Sequence, residues 1–380
     1  MERIGVLGGS FNPVHNEHVN IAVNAVKELG LNKLIVMPTF IPPHKNTVLA
    51  PSSDRLNMLN LAFSGLDNIE ISDYEIQKGG TSYTYLTLTH LKSTFDKELV
   101  FIFGEDLLEG FNSWRHPEKI TELASVAVFG RDSYSADFEK HQKDFISKYN
   151  KPFIKLNYTG KSLSSTTIRV FASLGLSLDA FVPKEVENYI YQNNLYKKEE
   201  LSQLIEFVKG ILPNKRLIHT ASVISCALIK ADELKLDKND VFVAGLLHDV
   251  AKYVDYKSVK GFIKPSDMPD PVVHAFLGEY IARNLLGVKN EVVLDAIKYH
   301  TSGKPNMSTL GKLIFVADMV EDGRSYDGVE TLRKYYETMT LDECFIECLK
   351  EEAIHLKNKN QPIYGLTMDA YEYYVTGKGE

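Results

Sequence analysis

The sequence predicts an α/β fold, a doubly wound parallel sheet, followed by an all-α region. Two observations carry this prediction. Short β-rich runs alternate with longer amphipathic stretches up to about residue 196, the pattern of strands joined by crossover helices. Beyond the charged junction Lys197-Lys198-Glu199-Glu200, strand-like runs almost vanish and apolar residues recur at helical spacing.

The β-rich runs are 4–7, 33–37, 69–71, 99–103, 126–129 and 153–156. Amphipathic helices are predicted over 201–211, 218–234, 240–252, 274–286, 291–300, 308–321 and 341–357. Two domains follow, 1–197 and 198–380, each long enough to bury its own core. With 44% hydrophobic and 24% charged residues, the composition is that of a globular chain and not a disordered one. The formal charge is −7, divided as −1 over residues 1–198 and −6 over the remainder. An acidic second half argues against a nucleic-acid or membrane-surface partner, since phosphate contacts need clustered Lys and Arg. Cys226, Cys344 and Cys348 are odd in number and form no C-x-x-C pair, which argues for a reducing, cytoplasmic setting. No apolar run approaches about 18 residues, so a membrane span is not expected. A homo-oligomer is compatible with all of this.

The segment Gly8-Gly9-Ser10-Phe11-Asn12-Pro13-Val14-His15-Asn16-Glu17-His18 follows the first predicted strand and leads into a helical pattern at Ile21, Ala22, Ala25, Val26 and Leu29. Strand, glycine turn and helix N-terminus make a phosphate cradle: glycine admits the anion without a Cβ clash, and free helix amides point at it. His15 and His18, three residues apart, share one face of the first helical turn, where both can donate to an oxyanion. Two surface histidines capping a helix are the bland alternative. A second block, Ser162-Leu163-Ser164-Ser165-Thr166-Thr167-Ile168-Arg169, sets hydroxyls and free amides at another helix start with Arg169 one turn in, which suits a triphosphate. A serine-rich N-cap explains Ser165 and Thr166 but does not ask for Arg169. Pro42-Pro43-His44-Lys45 is a rigid turn presenting a cation. Asp106, in Gly104-Glu105-Asp106 at a strand end, suits a ribose hydroxyl or an N-cap. Trp114, the only tryptophan, suits either stacking on a pyridine or adenine ring or a place in the core.

In this order the blocks resemble the two phosphate motifs of the nucleotidyltransferases that attack the α-phosphate of ATP. Within that superfamily the likeness is closest to bacterial nicotinate mononucleotide adenylyltransferases. It extends over residues 1–196 and takes in Ser72-Asp73-Tyr74-Glu75-Ile76, Gly79-Gly80-Thr81-Ser82-Tyr83-Thr84 and Val182-Pro183-Lys184-Glu185-Val186. The resemblance implies a Rossmann-like nucleotidyltransferase domain with His15, His18, Lys45 and Arg169 in catalysis. ATP would be held by Gly8, Gly9, Ser10, Phe11, His15, His18, Gly104, Asp106, Arg131, Ser164, Ser165, Thr166 and Arg169. The nicotinate nucleotide would be held by Lys45, Thr81, Ser82, Tyr83 and Trp114. The implied reaction joins nicotinate mononucleotide to ATP, giving nicotinate adenine dinucleotide and pyrophosphate. It uses Mg²⁺ on the phosphates and no covalent nucleophile. Glu17 stands where that family has glycine and is expected to set a carboxylate near the triphosphate path. Transfer to pantetheine phosphate or another phosphate acceptor is the competing reading.

In the second half, His219, His248, Asp249, His274, His300 and Asp318 interrupt apolar stretches of predicted helices. Burying such groups unpartnered costs on the order of several kcal/mol each, and a shared metal satisfies them together. One such histidine alone would more often be a satisfied core residue. The order of histidine, His-Asp and distant aspartate resembles the HD-domain metal-dependent phosphohydrolases. Adding His274, His300, Lys252 and Arg324, residues 200–376 resemble YqeK-type symmetrical diadenosine tetraphosphatases. The resemblance implies a binuclear iron site ligated by His219, His248, Asp249, His274, His300 and Asp318. Asp249 would bridge, Lys252 would share in catalysis, and Lys252 and Arg324 would hold the polyphosphate. Glu321-Asp322 replaces that family's usual Glu-Pro. A non-catalytic nucleotide-sensing module, or hydrolysis of another nucleotide phosphate, is the alternative.

Overall fold

In the computed structural model, which describes residues 2–43, 49–131, 137–359 and 363–377, six strands build one sheet. They are β1 (Arg3–Gly9), β2 (Lys33–Pro38), β3 (Ile69–Ile71), β4 (Glu98–Gly104), β5 (Ala124–Arg131) and β6 (Ile154–Gly160). Their order is β3-β2-β1-β4-β5-β6 with every pair parallel. β1 and β4 lie at the centre, covered on both faces, which is why their runs are apolar throughout and do not alternate. One face packs Val6, Ile35, Met37, Leu99, Phe101 and Phe103 against Leu88, Leu91, Phe111 and Ile120. The order reverses between β1 and β4, and the carboxyl ends of those two strands open the crevice where such sheets take their ligands. The paired glycines end β1, and Gly104 ends β4.

Helix α1 (Asn16–Leu29) buries Ile21, Ala22, Ala25 and Leu29 on one stripe and stops at Gly30, whose left-handed φ of 59° only glycine adopts without cost. Helix α2 (Ser52–Ala62) follows β2, and α3 (Ser165–Ser173) follows β6. The chain divides into one unit of Met1–Ala172 with Ser177–Tyr196 and a second of Ser173–Leu176 with Lys197–Glu380.

Among the described residues the second unit contains no strand. Its site is carried by α4 (Asn214–Ala231), α5 (Lys238–Leu247), α6 (Asp270–Asn284), α7 (Glu291–Tyr299) and α8 (Thr309–Val320), with α9 (Leu341–Asn358) packed on α8. Two of the predicted helices stop at their histidines. Instead of running to 252 and 300, α5 and α7 stop just before His248 and His300. There each imidazole satisfies a last-turn carbonyl that has no amide donor, His248 Nδ1 on Gly245 O and His300 Nδ1 on Ile297 O, both at 2.7 Å. The helix Val329–Thr338 escapes the sequence pattern because it buries only Val329 and Leu332. The cysteines are free. Cys344 and Cys348 pack with Phe315, Val316 and Phe345, and burial pushes the Cys226 thiol up to about 12. No helix among the described residues is long and apolar enough to cross a membrane.

Two candidate active sites

In the first unit, the turn after β1 and the start of α3 are locked together. Arg169 donates from Nη1 to Asn12 O at 2.8 Å and from Nη2 to Thr166 Oγ1 at 3.0 Å, while Ser165 Oγ donates to Pro13 O at 3.1 Å. The two motifs therefore form one structure, and Arg169 braces its floor. Ser164 Oγ accepts from Thr166 N at 3.1 Å, a local cap. His15 is the N-cap of α1 and His18 its third residue, and they cap reciprocally: His18 N donates to His15 Nδ1 at 3.4 Å, His15 N to His18 Nδ1 at 3.2 Å. The rings stack with centroids 3.6 Å apart. Burial, aided by the Arg131 charge, pushes His15 down to about 3, so the ring is neutral at pH 7. With both Nδ1 atoms accepting, the ring hydrogen of each falls on Nε2.

Packing does not explain the glycine at position 8. A Cβ on Gly8 would meet nothing within 4 Å, whereas one on Gly9 would lie 3.0 Å from the Phe11 ring. Open space over an exposed glycine at the end of β1 is what an approaching phosphate needs. At the end of β4, a Cβ on Gly104 would collide with the Asp106 carboxylate. Asp106 Oδ1 lies 3.2 Å from Arg131 Nε, and Glu105 Oε1 accepts from Arg131 N at 2.5 Å, tying the ends of β4 and β5 together.

Glu17 departs from expectation. It is buried, and its Oε1 accepts from Tyr158 Oη at 2.5 Å, so the carboxylate is turned to β6 and engaged there. Of the expected pyridine-nucleotide residues, Tyr83 and Trp114 line a cavity of about 530 Å³, with Thr84, Arg115 and His116. Trp114 also packs on Phe101, Phe103 and Phe111, joining both sequence readings of that residue. Thr81 and Ser82 do not line it: Thr81 bridges Ile41, Ser82 N donates to Ile41 O, and Ser82 Oγ accepts from Phe40 N, both bonds at 2.9 Å. Lys45 lies outside the described residues.

Arg55, which the sequence reading passed over, is 1% exposed. It donates to Ser10 O, Thr39 O and Ala50 O, stitching the glycine turn to the segment after β2. A lone arginine among the apolar residues of α2 was the available signal.

In the second unit, all six expected ligand residues converge, and they divide around Asp249. Its Oδ2 lies 3.7 Å from His219 Nε2 and 3.6 Å from His248 Nε2. Its Oδ1 lies 3.1 Å from His274 Nε2 and 3.7 Å from His300 Nε2. Asp318 Oδ1 completes the first set, 3.0 Å from His219 Nε2. Two ligand clusters result, His219 with His248 and Asp318, and His274 with His300 and Asp249.

These residues fit metal ions. His248 and His300 face backbone carbonyls through Nδ1, and His219 Nδ1 faces Glu321 Oε1 at 3.0 Å. His248 and His300 therefore carry a hydrogen on Nδ1 and can present an Nε2 lone pair, while His219 faces a carboxylate through each of its ring nitrogens. Yet His219 Nε2 and His248 Nε2 stand 3.4 Å apart, and His274 Nε2 and His300 Nε2 3.2 Å apart. Ring nitrogens converging this closely, with carboxylates beside them, make a donor set suited to a cation. Asp249 Oδ1 is buried without a hydrogen-bond partner among the described residues. Burial pushes His248 down to about 3 and also lowers His274, keeping both as neutral ligands. His219 is raised, because its bonds to Asp318 and Glu321 outweigh its burial. Asp249 stays well below the usual carboxylate range: burial opposes this, but the surrounding imidazoles prevail.

Lys252 Nζ lies 3.2 Å from His274 Nε2 and 3.7 Å from Asp249 Oδ1, and Arg324 pairs with Asp318. The sequence reading missed Arg216, whose Nη1 donates to Asp249 Oδ2 at 2.8 Å, and the role of buried Glu321. Arg216 stands three residues before His219 and Glu321 three after Asp318, spacings that put each beside a ligand.

Residues 6–171 match the Cytidylyltransferase-like family model and residues 216–323 the HD domain model. A Mycoplasma genitalium protein described as a probable nicotinate-nucleotide adenylyltransferase/Ap4A hydrolase is 30% identical over 334 residues, 86% of this chain and 89% of that one. A Clostridium botulinum protein described as a probable nicotinate-nucleotide adenylyltransferase is 40% identical over 201 residues, 52% of this chain and all of its own. A Clostridium acetobutylicum crystal structure, described as a predicted HD superfamily hydrolase involved in NAD metabolism, aligns at 26% identity with a TM-score of 0.43, covering 46% of this chain and 97% of that one.

Proposed function

The chain belongs to the family of fused nicotinate-nucleotide adenylyltransferase/Ap4A hydrolases, and from that membership we propose how its residues divide two reactions. The first half transfers the adenylyl group of ATP to nicotinate mononucleotide. An oxygen of the acceptor 5′-phosphate attacks the α-phosphorus. The bond from that phosphorus to the α–β bridging oxygen breaks, and pyrophosphate leaves. His15 and His18 donate from Nε2 to the α-phosphate oxygens as negative charge grows on them, and the turn at Gly8 admits the phosphates. Arg169 and Ser165 hold the cradle in shape. Lys45 keeps the acceptor role that the resemblance implies, and Mg²⁺ arrives with ATP as part of the substrate.

The second half hydrolyses diadenosine tetraphosphate symmetrically to two ADP. His219, His248 and Asp318 would hold one metal ion, His274 and His300 another, with Asp249 between them. Bound there, a pair of ions, which we assign as iron, would supply Lewis acidity and a nucleophile at neutral pH. Lys252 and Arg324, both part-exposed at the cluster, face the phosphates. The division of the two Asp249 oxygens between two histidine pairs carries this reading over that of a sensing module, which has no need of a bridged pair. The substrates are cytoplasmic metabolites, so we assign the protein to that compartment. Incubating the purified chain with ATP plus nicotinate mononucleotide, and separately with diadenosine tetraphosphate, tests both halves. Nicotinate adenine dinucleotide with pyrophosphate, and ADP alone, are the expected products.

A further inference from the structure

We infer that Arg115 selects the acidic over the amide form of the pyridine nucleotide. The inference rests on the adenylyltransferase reading of the first half. Arg115 lines the cavity of about 530 Å³ beside Trp114, Tyr83 and Thr84. Its guanidinium lies 5.1 Å over the Tyr83 ring, a contact that holds a long side chain in one place at the cavity wall. Among the described residues no carboxylate pairs with it, and the nearby Glu118 is taken by His116 Nδ1 at 3.3 Å.

The local backbone presents this cation deliberately. His116 sits in the left-handed region, φ 55° and ψ 56°, directly before Pro117, where a non-glycine residue is strained. The turn this makes leaves Trp114, Arg115 and His116 all on the cavity wall. A planar aromatic ring bearing an anion matches the surface so formed: indole for the ring, and a planar two-pronged donor for the carboxylate. An amide offers that donor one neutral oxygen and no charge. Ribose and phosphate are common to both nucleotides, so a cation serving the phosphate would not discriminate between them.

The test measures kcat/KM for nicotinate mononucleotide and nicotinamide mononucleotide, at saturating ATP, in the whole chain and in Arg115→Ala and Arg115→Lys. Arg115 is exposed, so both variants should fold as the parent does, which thermal unfolding verifies. The expected result is that Arg115→Ala lowers the acid-to-amide ratio about tenfold or more, through the acid substrate alone, with KM for ATP unchanged. Arg115→Lys should recover part of the ratio, since it keeps charge but not the fork. An equal loss on both substrates would assign the cation to the phosphate and overturn the inference, as would no loss on either. Absence of activity on both substrates in the parent chain would instead sink the underlying adenylyltransferase reading, and this inference with it.

Discussion

His15 and His18 each accept the other's backbone amide through Nδ1, at 3.4 and 3.2 Å, so the pair that caps α1 is also the pair to which we assign the Nε2 donors of adenylyl transfer. Cap and chemistry can be separated. Asparagine is as good an N-cap as any residue, but its amide is too short to reach where Nε2 reaches. His15→Asn should therefore hold stability to within about 1 kcal/mol while turnover falls roughly 100-fold or more, with KM for ATP little changed. Steady-state kinetics beside urea unfolding would decide it, and near-normal turnover would remove His15 from the chemistry. His18→Ala should lose turnover to a similar extent.

The depressed pKa of His15 sets a direction for stability. Folded, the ring stays neutral down to about pH 3, whereas the unfolded chain takes up its proton near the ordinary imidazole value of 6.5. Between those values the unfolded state binds the extra proton, so the stability due to His15 is fully present above about pH 6.5 and is lost as pH falls toward 3. From pH 7 to pH 5 the parent chain should lose about 2 kcal/mol more than His15→Asn does. Urea unfolding followed by Trp114 fluorescence reports the first unit alone, because the chain has no other tryptophan. Parallel pH profiles for the two proteins would contradict the assignment.

Gly8→Ala tests whether the open space at the turn belongs to ATP. With nothing within 4 Å of the added methyl, folding stability should stay level or rise slightly, since alanine narrows the unfolded ensemble. KM for ATP should nevertheless climb several-fold as the methyl meets the phosphates. An unchanged KM would show that the triphosphate passes elsewhere.

The architecture was legible because both periodicities were clean. All six strands fall on β-rich runs, and β1 and β4 announce themselves by being apolar on both faces. The candidate ligands were legible for a similar reason, since His248 and Asp249 interrupt a stretch that is otherwise buried. What the sequence hid were residues acting on backbone. Arg55 spends its guanidinium on three carbonyls from three segments, and Arg169 reaches Asn12 O across 157 positions, contacts that no periodicity encodes. Glu17 misled because its place in the motif suggested the phosphate path, while its partner, Tyr158, is 141 positions away.

Glu321 should prove as important to metal binding as a direct ligand's neighbour can be. It takes the His219 Nδ1 hydrogen through Oε1 and anchors Gly323 N through Oε2 at 2.6 Å. Glu321→Ala frees the ring to adopt the wrong tautomer, and metal affinity should fall roughly 10- to 100-fold. Glu321→Gln, which keeps an acceptor oxygen, should recover much of it. Competition with a chelator gives the affinities directly, without recourse to activity.

Asp249→Ala tests whether the two reactions are separately housed. The substitution removes the carboxylate that faces both histidine pairs and strands Arg216 Nη1 without its 2.8 Å partner. Bound metal should drop by half or more, and ADP release from diadenosine tetraphosphate should become undetectable. Adenylyl transfer should persist at the parent rate, because every residue assigned to it precedes Lys197. Metal content and both activities are to be measured on one preparation. Retained metal with continued ADP release would make the cluster structural. Joint loss of both activities in a folded protein would mean that the metal-bearing half supports the transferase, and the independence of the two sites would have to be abandoned.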